Sequence, residues 1–88
     1  MSGFLGQVPE QVEELAADFD AKAGDIETVI QTITSRMQST TWTGTDRDNF
    51  EATWNGEITN ALVQLAQTLR DTGIIANNNA QQQRTASS

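Results

Sequence analysis

The sequence predicts an all-α fold: an antiparallel helical hairpin bent at a Trp-x-Gly turn, two copies of which would pack into a four-helix bundle. Three observations carry this expectation. Two long stretches repeat their apolar residues at alternating spacings of three and four, the period of an amphipathic helix. Between them lies a polar connector whose single bulky apolar residue is Trp42. The chain has 88 residues and neither cysteine nor histidine, so it holds one domain, has no disulfide framework and lacks the commonest general base and metal ligand.

The first helix is expected from Pro9 to about Gln38. Proline suits the first helical position because its φ is already helical and its missing N–H is not needed there. Glu10, Glu13 and Glu14 then stand near the positive end of the helix dipole. Its apolar residues are Val12, Leu15, Ala16, Phe19, Ala23, Ile26, Val29, Ile30, Ile33 and Met37, which cover an arc of about 140°.

The turn is expected over about residues 39–45. Gln38-Ser39-Thr40-Thr41 is poor in strong helix formers, and Gly44 can take the positive φ of a tight reversal. Thr45 is the expected N-cap of the second helix, with Asp46 and Asp48 in its first turn.

The second helix is expected from Asp46 to about Ala76, with Phe50, Trp54, Ile58, Ala61, Leu62, Leu65, Leu69, Ile75 and Ala76 as its apolar set. Asn77 to Ser88 combines weak helix formers with little apolar surface, so it is expected to be a flexible tail, with Gln81 to Gln83 able to extend the helix by a turn or two.

Both stripes are wider than the two-position seam that a single neighbour requires. The first helix adds a flanking set, Ala16, Ala23, Ile30 and Met37, beside the main one. Each helix is therefore expected to touch two neighbours. Two helices of about 45 Å make a rod too thin to bury its own apolar surface, and small chains without disulfides commonly solve this by association. The residues expected at the hairpin and dimer interfaces are Val12, Leu15, Phe19, Ile26, Ile30, Ile33, Met37, Ile58, Leu62, Leu65 and Leu69. Lys22 and Arg36 interrupt the register of Leu15 and Val29. Either their stems lie along the seam edge with the charged heads in water, or they pair with acids on a partner helix.

Several function classes are disfavoured. A net charge of −7 argues against nucleic-acid backbones and anionic lipid surfaces as partners. No run of about eighteen apolar residues is present for a membrane span. Asp18-Phe19-Asp20-Ala21-Lys22 begins like a calcium loop, but Lys22 occupies a ligand position and the turn glycine is missing. No catalytic residue, metal site or cofactor is expected, because a two-helix rod offers no enclosed pocket in which carboxylates could do acid–base chemistry.

Trp42-Thr43-Gly44 at mid-chain, one helix on each side, Phe50 and Trp54 early in the second helix, and the run Asn60-Ala61-Leu62, Leu65-Ala66, Thr68-Leu69 and Gly73 together resemble the WXG family. These are helical-hairpin proteins exported by type VII secretion, also called early-secreted-antigen-like. The resemblance extends from about Val8 to about Ala76. It implies a non-enzymatic substrate or co-secreted partner that acts as a dimer, made in the cytoplasm of a Gram-positive bacterium and delivered outside or to the cell surface. Met1 to Val8 lacks the basic and apolar regions of a secretory signal, so the expected route is independent of a signal peptide.

Family members that carry their own export signal have Tyr-x-x-x-Asp or Tyr-x-x-x-Glu after the hairpin. This chain has no tyrosine, and Ala76-Asn77-Asn78-Asn79-Ala80 stands there instead. The resemblance therefore implies another WXG-type hairpin as partner, with a heterodimer favoured over a homodimer, and contact with the secretion ATPase through the partner's C-terminal signal. Trp42, Gly44, Phe50 and Trp54 are the candidate groove for that signal. Two alternatives are an adaptor or chaperone that docks a larger toxin-like protein and, less favoured because the polar faces are acidic, a membrane-active effector.

Overall fold

The computed structural model describes residues 8–87, the last by its backbone alone. Helix α1 spans Pro9–Ser39 and is followed by a short connector, helix α2 (Thr45–Thr53), one wide π-helical turn (Trp54–Ile58) and helix α3 (Thr59–Ser87). Trp54 and Thr59 both keep right-handed helical dihedrals, so α2, the π turn and α3 form one continuous arm lying antiparallel to α1. The hairpin measures 65 × 18 × 14 Å, with a radius of gyration of 19.5 Å. A compact chain of this length would have a radius of about 12 Å, so the fold is a thin rod with little interior.

Local chemistry sets the helix ends. Pro9 opens α1 with its N–H unneeded, and the amides of Gln11 and Val12 donate to the Val8 carbonyl at 3.0 and 3.2 Å. At the other end, Thr40 Oγ1 donates to the Arg36 carbonyl at 2.6 Å and Ser39 Oγ to the same oxygen at 3.1 Å. These hydroxyls satisfy an end carbonyl and stop the helix where the sequence turns to Ser and Thr.

Gly44 has φ 115° and ψ −179°, a conformation open essentially to glycine alone. No atom lies within 4 Å of where a Cβ would sit, so the requirement is conformational rather than spatial. Gly44, not Thr45, is the residue that caps α2. Its carbonyl accepts from the Asp48 amide at 3.1 Å, and Thr45 is already the first helical residue.

The two arms meet along small side chains. Ala23 and Ala80 are 0 % exposed and Ala66 2 %, Ala16 is buried, and Gly73 lies in the same row. Ala66, Gly73 and Ala80 recur every seven residues, as do Ala16, Ala23, half-buried Ile30 and buried Met37. The set expected to flank the seam is therefore the seam itself. The expected main stripe lies beside it: Val12, Phe19, Ile26, Leu62 and Leu69 are half-buried, while Leu15, Val29, Ile33, Ile58 and Leu65 are exposed. Small residues allow the helix axes to approach, and at that separation the larger side chains no longer fit between them. Ile75 and Ala61, expected in the stripe, are exposed, and Ile75 points away from the seam.

The π turn corrects the phase. Trp54 precedes Ala66 by twelve residues, and absorbing one of them in the wide turn leaves about three α-helical turns. Trp54 thereby stays in line with Ala66, Gly73 and Ala80. The segment from Asn77 is helical to Ser87 rather than a flexible tail. Buried Ala80 docks it, and Arg84 bridges it to Glu10 and Glu13 of α1.

The closest approach is at Gly73, where an added Cβ would meet the Ala16 carbonyl oxygen at 3.0 Å and Phe19 Cβ at 3.2 Å. Gly73→Leu is expected to destabilise the hairpin by about 2 kcal/mol or more through overpacking. Gly73→Ala is expected to cost less, because a helix-propensity gain of about 1 kcal/mol offsets part of the clash. Thermal denaturation followed by circular dichroism measures both, and equal melting temperatures for Gly73→Leu and the wild type would contradict the close seam.

Candidate functional site: an apolar face opposite an ionic one

The seam divides the rod into two unlike faces. Glu13, Asp20 and Glu27 each stand three residues before a seam residue of α1, and Arg70 stands three before Gly73. At about 100° per residue these positions project to one side of their helices, and the ion pairs show that the two sides coincide. Arg70 grips Glu27 with both terminal nitrogens, at 2.6 and 2.8 Å, and places Nε 3.5 Å from Asp20. Arg84 does the same with Glu13, through Nε at 3.0 Å and Nη2 at 2.6 Å, and lies 3.4 Å from Glu10. Gln81 adds a donor to Glu13 at 3.1 Å.

These two-pronged bonds are planar and directional, so they fix the register of α3 on α1 as well as attracting it. Hydrogen bonding from Arg84 holds the Glu13 carboxyl below its ordinary value of 4.5, and hydrogen bonding from Arg70 does so for Glu27. Desolvation opposes each shift, and the charge of the same arginine supports it.

On the other side are the residues four and one before each seam position. The apolar ones are Val12, Leu15, Phe19, Ile26, Val29 and Ile33 from α1, with Leu62, Leu65, Leu69 and Ala76 from α3; Lys22, Arg36, Thr72 and Asn79 take the remaining edge positions. Leu15 is 50 % exposed, Val29 49 % and Leu65 47 %, so this is an apolar strip facing outward, edged by Lys22 and Arg36. A strip of this kind on a small chain marks an interaction surface. Val63, Ile74 and Ile75 are exposed on other sides of α3 and do not join it.

At the bend the aromatic residues divide. Trp54 is buried and donates its Nε1 hydrogen to Thr34 Oγ1 at 2.9 Å, plugging the seam from inside. Trp42 is 39 % exposed and Phe50 45 % exposed, and their rings meet at 5.6 Å with an interplanar angle of 51°. Phe50 stands four residues before Trp54, which puts this pair at the bend end of the apolar face. Of the four candidate groove residues, Trp42 and Phe50 thus form surface, Gly44 shapes the turn, and Trp54 belongs to the hairpin interior. Trp54 is the buried plug of the bend. The two interrupting cations also separate: Lys22 lies 3.4 Å from Asp25 on its own helix, whereas the guanidinium of Arg36 has no carboxylate partner among the described residues.

The sequence reading missed the ionic face, since Glu13 and Arg84, or Glu27 and Arg70, are far apart in the chain. The sevenfold spacing of Glu13, Asp20 and Glu27 was the available signal. Among the described residues, no three of Asp, Glu, His or Cys converge as metal ligands, and no helix is long and apolar enough to cross a membrane.

A thin hairpin with one face bridged by ion pairs and one open apolar face is the geometry of a helical association module. The chain belongs to the family described as proteins of 100 residues with WXG, whose sequence pattern matches residues 8–86. It is a small helical protein of the type VII secretion-associated kind; members are generally non-enzymatic and usually pair with other WXG proteins. No curated protein and no solved structure matches the chain significantly.

Two outcomes follow from this geometry. Trp54→Ala is expected to cost on the order of 3–5 kcal/mol by opening a cavity. Trp42→Ala, at a half-open site, is expected to cost about 1 kcal/mol, mostly its contact with Phe50. Denaturant unfolding of the two variants checks the order, and a greater loss from Trp42→Ala would reverse the assignment.

The second outcome concerns pH. The folded pKa values of Glu13 and Glu27 are depressed, so the stability that their bridges contribute is present above the ordinary carboxylate value of 4.5 and is lost as pH falls through their lower folded values. The melting-temperature gap between wild type and an Arg70→Gln, Arg84→Gln double variant is expected at neutral pH and should close in acid below 4.5. A gap unchanged by acid would show that the bridges are not its source.

Proposed function

We propose that the chain is exported by a type VII system as half of a four-helix bundle, its apolar face packed on another hairpin of the family. The observation that carries this reading is the pairing of closed and open faces. The ionic side carries the inter-helix bridges, while Leu15, Val29, Ile33, Ile58 and Leu65 remain between 38 % and 50 % exposed and open to a partner. Two such faces laid together would complete a core that one hairpin cannot enclose.

In this reading a partner hairpin supplies the C-terminal signal that engages the secretion ATPase, since the chain has no tyrosine with which to build the family's own element. The exposed Trp42–Phe50 pair lies at the bend, where that signal would rest. The chain itself performs no catalysis; it contributes a docking face and a marked end.

Val29→Asp and Leu65→Asp are the direct test. Both sites are exposed in the lone hairpin, so its helicity should persist, whereas a charge buried against a partner is strongly unfavourable. Secretion, normalised to cytoplasmic level, is expected to fall at least tenfold for each, and Ile75→Asp, on the far side of α3, is expected to leave it unchanged. Equal export of all three would remove the apolar face from the mechanism.

A further inference from the structure

The ionic face is a ladder whose middle rung lacks its cation. Glu13 is bridged to Arg84 and Glu27 to Arg70. Counting seven residues on from Glu13 along α1, and seven back from Arg84 along α3, reaches Asp20 and Asn77, and the same pair is reached from Glu27 and Arg70. A neutral amide therefore stands at the level where the rungs on either side have a guanidinium. Arg70 spends both terminal nitrogens on Glu27 and offers Asp20 its Nε at 3.5 Å. The Asp20 side chain is 76 % exposed, against 28 % for Glu13 and 50 % for Glu27. With Glu10, four carboxylates on this side share two guanidiniums.

A cleft of about 330 Å³ opens at the same level, lined by Ala17, Asp20, Arg70, Gly73, Ile74 and Asn77 among others. Ala17 and Gly73 are too small to fill the space between the two bridges, and Ile74 beside them is 59 % exposed. An apolar hollow rimmed by a carboxylate short of its counter-charge matches a side chain with a long aliphatic stem and a cationic head.

We infer that this cleft is a second docking site, and that it takes a lysine side chain from a basic segment of a partner protein. The ammonium supplies at Asp20 the charge that α3 itself supplies at Glu13 and Glu27. Lysine suits the site better than arginine, since the head must fit beside the guanidinium of Arg70 and an ammonium is the more compact cation. The chain's net charge of −7 draws a basic segment toward it. The cleft lies on the side away from Leu15, Val29 and Leu65, so a hairpin whose apolar face is covered can still receive this partner.

The test titrates the isotope-labelled full chain, at neutral pH and low salt, with a helical peptide of alanine and glutamine carrying one central lysine. Counterparts with norleucine or glutamate in place of the lysine serve as comparison. The lysine peptide is expected to shift the amide signals of Ala17, Asp20, Gly73 and Ile74 and to bind about fivefold tighter than the norleucine peptide, the advantage of one exposed ion pair. The glutamate peptide is expected to bind weakest. Asp20→Asn, with helicity checked by circular dichroism, is expected to abolish the advantage of lysine over norleucine, and Val29→Asp on the opposite face is expected to leave it unchanged. Loss of export in Val29→Asp therefore tests the apolar face without touching the cleft. Equal binding of the lysine and norleucine peptides assigns the cleft to an apolar side chain and overturns the inference. A lysine preference that survives Asp20→Asn, shifts confined to Leu15, Val29 and Leu65, or no shift at all overturns it too.

Discussion

The approach of α1 and α3 at Ala16 and Gly73 is the constraint from which the remaining architecture follows. A backbone oxygen of one helix stands 3.0 Å from the place of a missing Cβ on the other, so the axes are nearly as close as two helices can come there. That proximity fills the seam with alanine and glycine and leaves no width for leucine or isoleucine. The larger side chains are displaced to the flank, where one hairpin can cover them only in part. An exposed apolar face is therefore a geometrical consequence of a tight seam, and not a separate feature added to it.

The tight seam alone does not choose a register, because small residues repeat along both helices. Polar chemistry on the opposite side does so. Arg70 and Arg84 stand fourteen residues apart, as do Glu13 and Glu27, so two forks lock the arms at two levels simultaneously. Exposed bridges contribute little to stability individually. Their value here lies in direction: a slip of seven residues would keep the period of the alanine seam but leave only one of the two arginines opposite an acid of the Glu13, Asp20 and Glu27 row.

Much of this could be read in the residues. Pro9, the hydroxyl-rich end of α1, Asp46 and Asp48, and the positive φ of Gly44 follow from backbone chemistry that acts over a few neighbours. What could not be read depends on contacts between distant segments. Ala16, Ala23, Ile30 and Met37 have the same sevenfold period as Val12, Phe19, Ile26 and Ile33, so periodicity alone could not say which set faces the other arm. Bulk favours the second set for the hairpin contact, whereas the run of Ala66, Gly73 and Ala80 on the second arm matches the first. Asn77 to Ser87 reads as a weak helix by propensity; Ala80 and the reach of Arg84 to Glu13 hold it in place. The π turn left one trace, the extra residue between Trp54 and Ala66.

The two tryptophans connect the architecture to the family's motif. Trp54, outside the motif, closes the bend from within through its ring and its bond to Thr34. The hairpin therefore has its plug without calling on Trp42. A large aromatic 39 % exposed beside Phe50, at the end of an open apolar strip, contributes little to the fold of one chain, and in the proposed bundle it would contribute to the surface shared by two. The tight turn at Gly44 supports the same division, since it presents Trp42 on the connector while α2 restarts at once behind it. Interior packing and surface are thus assigned to different aromatic residues, and on the proposed reading a change at Trp42 alters recognition while the helical rod that carries it stays intact.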